Sequence, residues 1–393
     1  MTAEELRALL SADGLRLLDE VGPVAADADV VRVVSRLRAA GHSPELVAVV
    51  LTQARLRTRA RARFGEFAER MLFTADGLEQ ATRPRVAAQH AGRFALAGMT
   101  SVADLGCGIG ADALAFAGLG LRVVAVEHDE ATAAIAAYNL APFPAAQVVQ
   151  GDALDQEPAD VDALWFDPAR RSGGRRYADP ADWSPPLPKV FARGAAKSAG
   201  IKLAPAFDHA LLPDGVEAQW VSVDRELVEL VVWTGELART GVGRAALLLG
   251  RDGATELTAP DAAPDAEIGA LGEYLLEPDG SVIRARLIGE LARRVEGRML
   301  DATIAWITSD AAPASDFGQA FRVREELPLD ERRLAAALRE RGIGILEIKK
   351  RGIDVDPAAL RTRLALRGDA AATLVLTRVA GRRTALLVDR LPA

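Results

Sequence analysis

The run "VADLGCGIGADALAFA", residues 102–117, sets a carboxylate (Asp104) and three alternate glycines within seven positions. It reads as a strand ending at Leu105, a glycine loop, and a helix from about Asp112. Gly106, Gly108 and Gly110 let the backbone come close to a ligand and take dihedrals that a Cβ forbids. The helix start then offers unpaired N–H groups to the same ligand. A cradle of this kind suits a nucleotide-like cofactor. Gly106, Gly108 and Ala111 also fit the G-x-G-x-x-G/A dinucleotide pattern, so a nicotinamide dehydrogenase is one reading. Asp104 argues against it, because dinucleotide folds place an apolar strand residue there. Glu127 ends the next strand, "VVAVEHD", about twenty residues on, where a carboxylate can accept from both ribose hydroxyls. Asp152 in "QGDALD" closes the strand after that, placed to accept from an adenine amino group.

A second constellation is "ALWFDPARRSGG", residues 163–174. An apolar run stops at Asp167, Pro168 stiffens the turn, and Arg170 and Arg171 follow where small neutral residues are usual. An arginine can stack on a base and pair with a phosphate, so this turn suits a nucleotide substrate; the plainer reading pairs both arginines with acids of the chain. Cys107 is a small loop residue, and one cysteine with four scattered histidines makes no metal-ligand cluster and no intrachain disulfide.

These residues need a scaffold that brings strand ends together. Short apolar runs at 101–105, 122–127, 146–150, 162–166 and 199–203 alternate with helical segments, the pattern of a parallel α/β sheet. Two more strands, 217–224 and 227–233, are joined at "DRE", and "AALLLG" follows. Residues 1–95 carry helical periodicity with a cap at Ser43 in "SPEL". Within them Arg55, Arg59 and Arg63 share one helix face, either solvated or turned to phosphate. Residues 251–270, rich in Pro, Asp, Gly and Ala, read as a linker, followed by a helix near 282–296. In the last 75 residues "FRVREEL" and "GILEIKKRG" read as strands and "DERRLAAALRERG" and "DPAALRTRLAL" as helices, before a closing hairpin. The division expected is 1–95, 96–255, 256–320 and 321–393.

Half of the 393 residues are hydrophobic and a quarter charged, as in a globular protein. No apolar run reaches the ~18 residues of a membrane span, and "MTAEELRALL" is acidic and amphipathic rather than a signal peptide, so a cytoplasmic location is expected. The net charge of −7 is unevenly spread. From Phe321 onward 16 Lys+Arg face 10 Asp+Glu, a balance of +6 that leaves −13 on the first 320 residues. An acidic body with a basic end suggests a polyanionic partner for that end.

Asp104 with its glycine loop, Glu127, Asp152 and the acid–proline turn occur in order and at the spacing of the class I S-adenosylmethionine-dependent methyltransferases, which residues 96–250 resemble. The resemblance implies an α/β fold: a Rossmann-like sheet, mostly parallel with an antiparallel last strand, between an N-terminal helical segment and a small α/β C-terminal domain. It implies S-adenosylmethionine as cofactor, with Asp104 at its methionine end and Gly106, Gly108 and Gly110 beneath it. Glu127 with His128 would take the ribose, and Asp152 with Ala153 the adenine. Asp167 would face cofactor and acceptor together, with Pro168 and Arg170 beside it. Family members that methylate amino nitrogens carry a second proline and an aromatic where this chain has Ala169 and Arg170, a departure that leaves the acceptor atom open.

The whole chain resembles a narrower bacterial group with a helical N-terminal segment and a THUMP-like C-terminal domain. The stretches that carry it are "MLFTADGLEQATRPRVAAQHAGRF", "DPARR", "SVDRELVEL", "LLEPDGSVIRA" and "LEIKKRGIDVD". In it the segment from Gln80 to Thr82 would open the helix that enters the catalytic domain, close to the cofactor. THUMP domains grip tRNA ends, so a tRNA or rRNA base is the acceptor implied, contacted by Arg170, Arg171, Lys349, Lys350 and Arg351, with no membrane and no metal. The alternatives are a small-molecule or protein acceptor, or an RNA-binding module that has lost turnover.

Overall fold

A computed structural model of the chain describes residues 3–24, 27–156, 160–169, 171–172, 175–176, 179–251 and 253–392. It separates into two compact units, Met1–Leu203 with Val232–Ala238, and Ala204–Val231 with Arg239–Ala393.

The first unit opens with helices α1 (Ala3–Leu10), α2 (Ala12–Val21), α3 (Asp27–Ala39), α4 (Pro44–Phe64), α5 (Ala75–Gln80) and α6 (Pro84–Leu96). Ser11, Ser43 and Thr74 cap α2, α4 and α5 by accepting from the backbone N–H three residues on. Leu9, Leu18, Val50, Leu72 and Phe73 are buried together with Ile109 and Ile135. The N-terminal helices therefore share one core with the segments that follow the glycine loop. Asn139 locks this join: its Oδ1 accepts from Leu72 N–H at 2.8 Å, and its Nδ2 donates to the carbonyls of Leu72 and Ile109.

The arginines of α4 have structural partners within the protein. Arg63 donates to the carbonyls of Leu78, Glu79 and Ala81 at the end of α5, where the helix dipole is negative. Arg59 pairs with Glu79, and the buried Arg57 binds the Met71 carbonyl and Asp19. Arg63, expected on a solvated or phosphate-facing stripe, instead fixes the turn that precedes α6.

A parallel sheet follows: β1 (Ser101–Leu105), α7 (Ala111–Gly118), β2 (Arg122–Glu127), α8 (Glu130–Leu140), β3 (Ala146–Gln150) and β4 (Ala163–Phe166). Two two-residue strands, β5 (Arg171–Ser172) and β6 (Arg175–Arg176), pair antiparallel with each other apart from it, and α9 (Leu187–Ala196) and β7 (Ala199–Leu203) complete it. Pairing runs in the order β3-β2-β1-β4-β7 among the long strands, every pair parallel. β1 and β4 are buried along their whole length, as strands covered on both faces must be. Trp165, Trp233, Phe94 and Phe116 pack edge to face or tilted around His90. Gly200 is required there, since a Cβ would sit 2.6 Å from the Trp165 ring.

β8 (Glu217–Val223) of the second unit leads into β9 (Glu226–Thr234), whose end from Val232 belongs to the first unit, at a tight turn with Asp224 and Arg225 at positive φ, as "DRE" implies. β10 (Arg244–Gly250) is parallel to β8, and β11 (Gly253–Ala259) antiparallel to β10. The expected linker at 251–270 is thus corrected: seven of its residues are a strand, because β10 offers them a ladder that composition does not disclose. Arg239 donates to Glu217, whose side chain is fully buried, and to Glu256. His209 stacks on Trp220 with ring centroids 4.9 Å apart and lies 3.3 Å from Arg244. Burial and the cations Arg286, Arg244 and Arg284 push its imidazole down to about 4.

A second sheet contains β12 (Tyr274–Pro278), then, after α10 (Gly280–Ala285) and α11 (Ile288–Arg294), β13 (Arg298–Asp301), β14 (Ile304–Ser309) and β15 (Gly318–Leu327). The chain ends α12 (Glu331–Glu340), β16 (Ile343–Lys350), α13 (Pro357–Leu364), β17 (Ala370–Val379) and β18 (Arg382–Arg390). The order is β13-β14-β12-β15-β18-β17-β16. The single helix expected at 282–296 is two, broken where Arg286 turns left-handed.

Candidate active site

The site is built where β1, β2, β3, β4 and β7 end. The order β3-β2-β1-β4 reverses direction between β1 and β4, and α/β sheets bind ligands outside the strand ends at such a switch point. After β1, Gly106, Gly108 and Gly110 all take positive φ (99°, 57° and 86°), so side chains are strained at each. A Cβ on Gly106 would lie 3.3 Å from the Asp167 carbonyl, so the loop passes close under the acid–proline turn.

Glu127 shapes this loop. Its Oε2 accepts from Gly108 N–H at 3.0 Å and its Oε1 from Asp129 N–H at 2.9 Å, leaving lone pairs on both oxygens for a ligand. His128 beside it is exposed. Asp152 is exposed and accepts from Leu154 N–H at 2.7 Å. The next residue, Ala153, is buried, and its carbonyl accepts from Arg193 of α9 at 2.8 Å.

Asp104 is 1% exposed, and neither of its carboxylate oxygens has a hydrogen-bond partner. Burial pushes its carboxyl well up, and the nearby Asp112 and Asp167 push it further, against a smaller opposing effect of Lys202. A buried, unsatisfied carboxylate is costly unless a cation meets it. Asp112 goes the other way. Burial raises it, but the bond and charge of His90, then Lys202 and Thr82, together hold it below the usual carboxylate range.

Asp167 is joined to a chain of polar groups. Lys202 Nζ lies 2.5 Å from its Oδ2 and 3.0 Å from Thr82 Oγ1. Thr82 donates to Asp112 Oδ2 at 2.6 Å, and Asp112 Oδ1 is 2.8 Å from His90 Nδ1. Pro168 is buried, and Ala169 exchanges backbone hydrogen bonds with Ser184 at 2.8 and 3.1 Å, which anchors the turn beyond the acid. Arg170 lies outside the described residues. Arg171 is placed by its backbone in β5 only, and its side chain is outside them too.

The donor set fits S-adenosylmethionine. Its ammonium and sulfonium charges suit Asp104 and the acids around it, its ribose the paired oxygens of Glu127, and its methionine end the close backbone of the glycine loop. Among the described residues no group of His, Cys, Asp and Glu is arranged to hold a metal ion, and no helix is long and apolar enough to cross a membrane.

The chain is 34% identical over 353 residues to proteins of two Mycobacterium tuberculosis strains, CDC 1551 / Oshkosh and H37Rv, each described as an uncharacterized S-adenosylmethionine-dependent methyltransferase. The match covers 88% of this chain and 95% of each relative. The chain belongs to the S-adenosylmethionine-dependent methyltransferases. A crystal structure of a protein described as a candidate methyltransferase from Porphyromonas gingivalis W83 superposes on this methyltransferase over the full length of both chains, with a TM-score of 0.76 at 22% identity. The family model for a THUMP domain-like segment matches residues 318–390, and one for a domain of unknown function (DUF8688) matches residues 2–60.

Sequence reasoning did not single out four residues that the structure joins to the expected site residues or to one another: Lys202, Asp112, His90 and Arg193. Thr82 precedes α6 and donates to Asp112 at the start of α7. Lys202 gives little signal alone, a lone lysine inside "AGIKL" among five in the chain. At the C-terminal end, Lys349 Nζ is 2.6 Å from Glu277 and Arg351 is 3.7 Å from the same carboxylate, whereas Lys350 is exposed.

Proposed function

We propose that this methyltransferase methylates a base of structured RNA, tRNA or rRNA, in the cytoplasm. When bound, the cofactor supplies an electrophilic methyl group. Asp104 would hold its methionine ammonium, Gly106, Gly108 and Gly110 would let it lie against backbone, and Glu127 would accept from its ribose hydroxyls. Asp152 and the segment from Ala153, pinned by Arg193, would take the adenine, with His128 at the rim. Asp167 and Pro168 form the acceptor end, with Arg170 and Arg171 as the groups that would engage the nucleotide.

The observation that carries the RNA reading is the THUMP-like segment at residues 318–390 on the same chain as this cofactor end. Its exposed cations include Lys350, Arg367 and Arg383. A second reading, a small-molecule or protein acceptor, is favoured by the many basic groups of this segment that already have acidic partners. Besides Lys349 and Arg351, Arg363 pairs with Glu331, Arg382 with Glu326 and Arg390 with Glu347.

The deciding experiment offers labelled S-adenosylmethionine and the protein, in separate reactions, to the total RNA, the proteins and the small molecules of a strain that lacks it. Label in a discrete RNA species is the expected result. Label only in the small-molecule or protein fraction would favour the second reading.

A further inference from the structure

We propose that Lys202 determines the kind of acceptor, selecting a lactam or imide ring N–H of an RNA base over an exocyclic amine. This rests on the RNA reading above and deepens it.

Phe166 of β4 and Ile201 of β7 are register partners, so Asp167 and Lys202 are the next residues of two parallel strands. Lys202 Nζ is 2.5 Å from the Asp167 carboxylate, and the lysine side chain is 14% exposed. Thr82, itself fixed by Asp112, holds the ammonium from the other side. The Asp167 carboxylate is therefore paired with an ammonium and does not act as a lone acid.

That difference selects chemistry. An exocyclic amine attacks through its lone pair and becomes positive before it sheds a proton. A lone acid favours that charge, and an adjacent ammonium cancels the benefit. A ring nitrogen without hydrogen yields a cationic product and meets the same opposition. A lactam or imide N–H behaves oppositely, spreading negative charge onto its carbonyl oxygen as the N–H bond weakens, and a fixed ammonium stabilises that charge. Such groups are also the most acidic acceptors that a base offers. In the transfer, the N–H proton passes to the Asp167 carboxylate and the nitrogen pair forms the new N–CH3 bond. The S–CH3 bond breaks with its pair left on sulfur, giving S-adenosylhomocysteine. The absence of the second proline and the aromatic at Ala169 and Arg170 agrees with an acceptor other than an amino group.

Two measurements test this. The first is NMR of the cofactor-free protein with labelled lysine, where the chain's five lysines keep the spectrum simple. The Lys202 signal, assigned by its loss in Lys202→Met, should report an ammonium from about pH 6 to 9, below the ordinary lysine value; a neutral amine at neutral pH overturns the proposal. The second is methylation of RNA followed by digestion to nucleosides and mass spectrometry. The methyl should sit on a ring nitrogen that carried hydrogen. Lys202→Met should lower kcat about 100-fold, as loss of one oriented charge-stabilising donor does, and make the remaining rate climb with pH. Lys202→Arg should restore part of it. Methyl on an exocyclic nitrogen, or Lys202→Met with unchanged kcat and pH profile, overturns the role of Lys202 while the RNA reading stands. No methyl in any RNA overturns both.

Discussion

Lys202 Nζ sits 2.5 Å from Asp167 Oδ2 because β4 and β7 run parallel and in step, bringing the two residues to the same level of the sheet. Neither side chain owes its place to its own neighbours in sequence. Substituting Asp167 by Asn should leave cofactor affinity nearly intact while abolishing turnover, if the acid faces the acceptor as proposed. It should also cost stability, for it removes a charged partner of the Lys202 ammonium, which keeps its bond to Thr82. The Asp167 side chain is 37% exposed, so solvent screens the pair and the loss should be only about 1–2 kcal/mol. The double variant Asp167→Asn with Lys202→Met should regain that stability without regaining activity. Urea unfolding and calorimetric titration of cofactor, compared across the three proteins, give both numbers. Parallel loss of cofactor affinity and turnover in Asp167→Asn would contradict the acceptor-end placement.

Asp104→Asn should stabilise the cofactor-free protein and weaken cofactor binding. Burial raises the folded carboxyl, so above the ordinary carboxylate range near 4 the folded protein keeps a proton that the unfolded chain has released. Stability therefore falls as pH rises through that region, until the folded carboxyl ionises. The amide carries no such cost. A gain of about 1–3 kcal/mol at neutral pH is expected, near 2–4 °C in Tm for each kcal/mol. Cofactor affinity should drop roughly 10-fold or more with loss of a charged acceptor. Thermal scans with and without cofactor would expose a lower Tm for the cofactor-free variant, which is the contrary result.

His209 makes the second unit sensitive to acid. Its folded value of about 4 lies below the ordinary 6.5, so between these the unfolded chain takes up a proton that the folded protein does not. Stability should decline as pH falls from about 6.5 to 4 and level off with respect to this group below that. His209→Gln should flatten this part of the profile in urea titrations at several pH values. An unchanged slope would mean that carboxylates alone set the acid limit.

The exposed cations of the THUMP-like segment offer the most direct test of RNA binding. Lys350→Glu and Arg383→Glu should each weaken RNA binding, while S-adenosylmethionine binding stays the same. For every phosphate that a variant no longer neutralises, the slope of log affinity against log salt should become shallower by about 0.7–0.9. Filter binding at several salt concentrations measures this. Removing residues 321–393 is a poor substitute, because Phe321–Leu327 belong to β15, which pairs with β12 and β18.

The strand, glycine loop and helix after β1 were legible in the sequence because their logic is local. Strand, glycine loop and helix start lie within a dozen residues, and the positive φ of Gly106, Gly108 and Gly110 is what alternating glycines imply. Glu127 was legible too, since the acid ending the second strand has its partners, Gly108 and Asp129, in the flanking turns. The strands at 253–259 and 274–309 were not, for a short run such as "GATELTA" becomes a strand only when a partner's ladder is beside it. Nor was the polar chain that runs from Asp167 through Lys202, Thr82 and Asp112 to His90. Lys202 and Thr82 are 120 residues apart and Asp167 and Lys202 are 35 apart, so no local pattern couples them. Their meeting depends on strand order and register, and those follow from which apolar faces pack together across the whole unit. The residue types were written in the sequence, but the meeting of Asp167 with an ammonium was decided by the parallel pairing of β4 and β7.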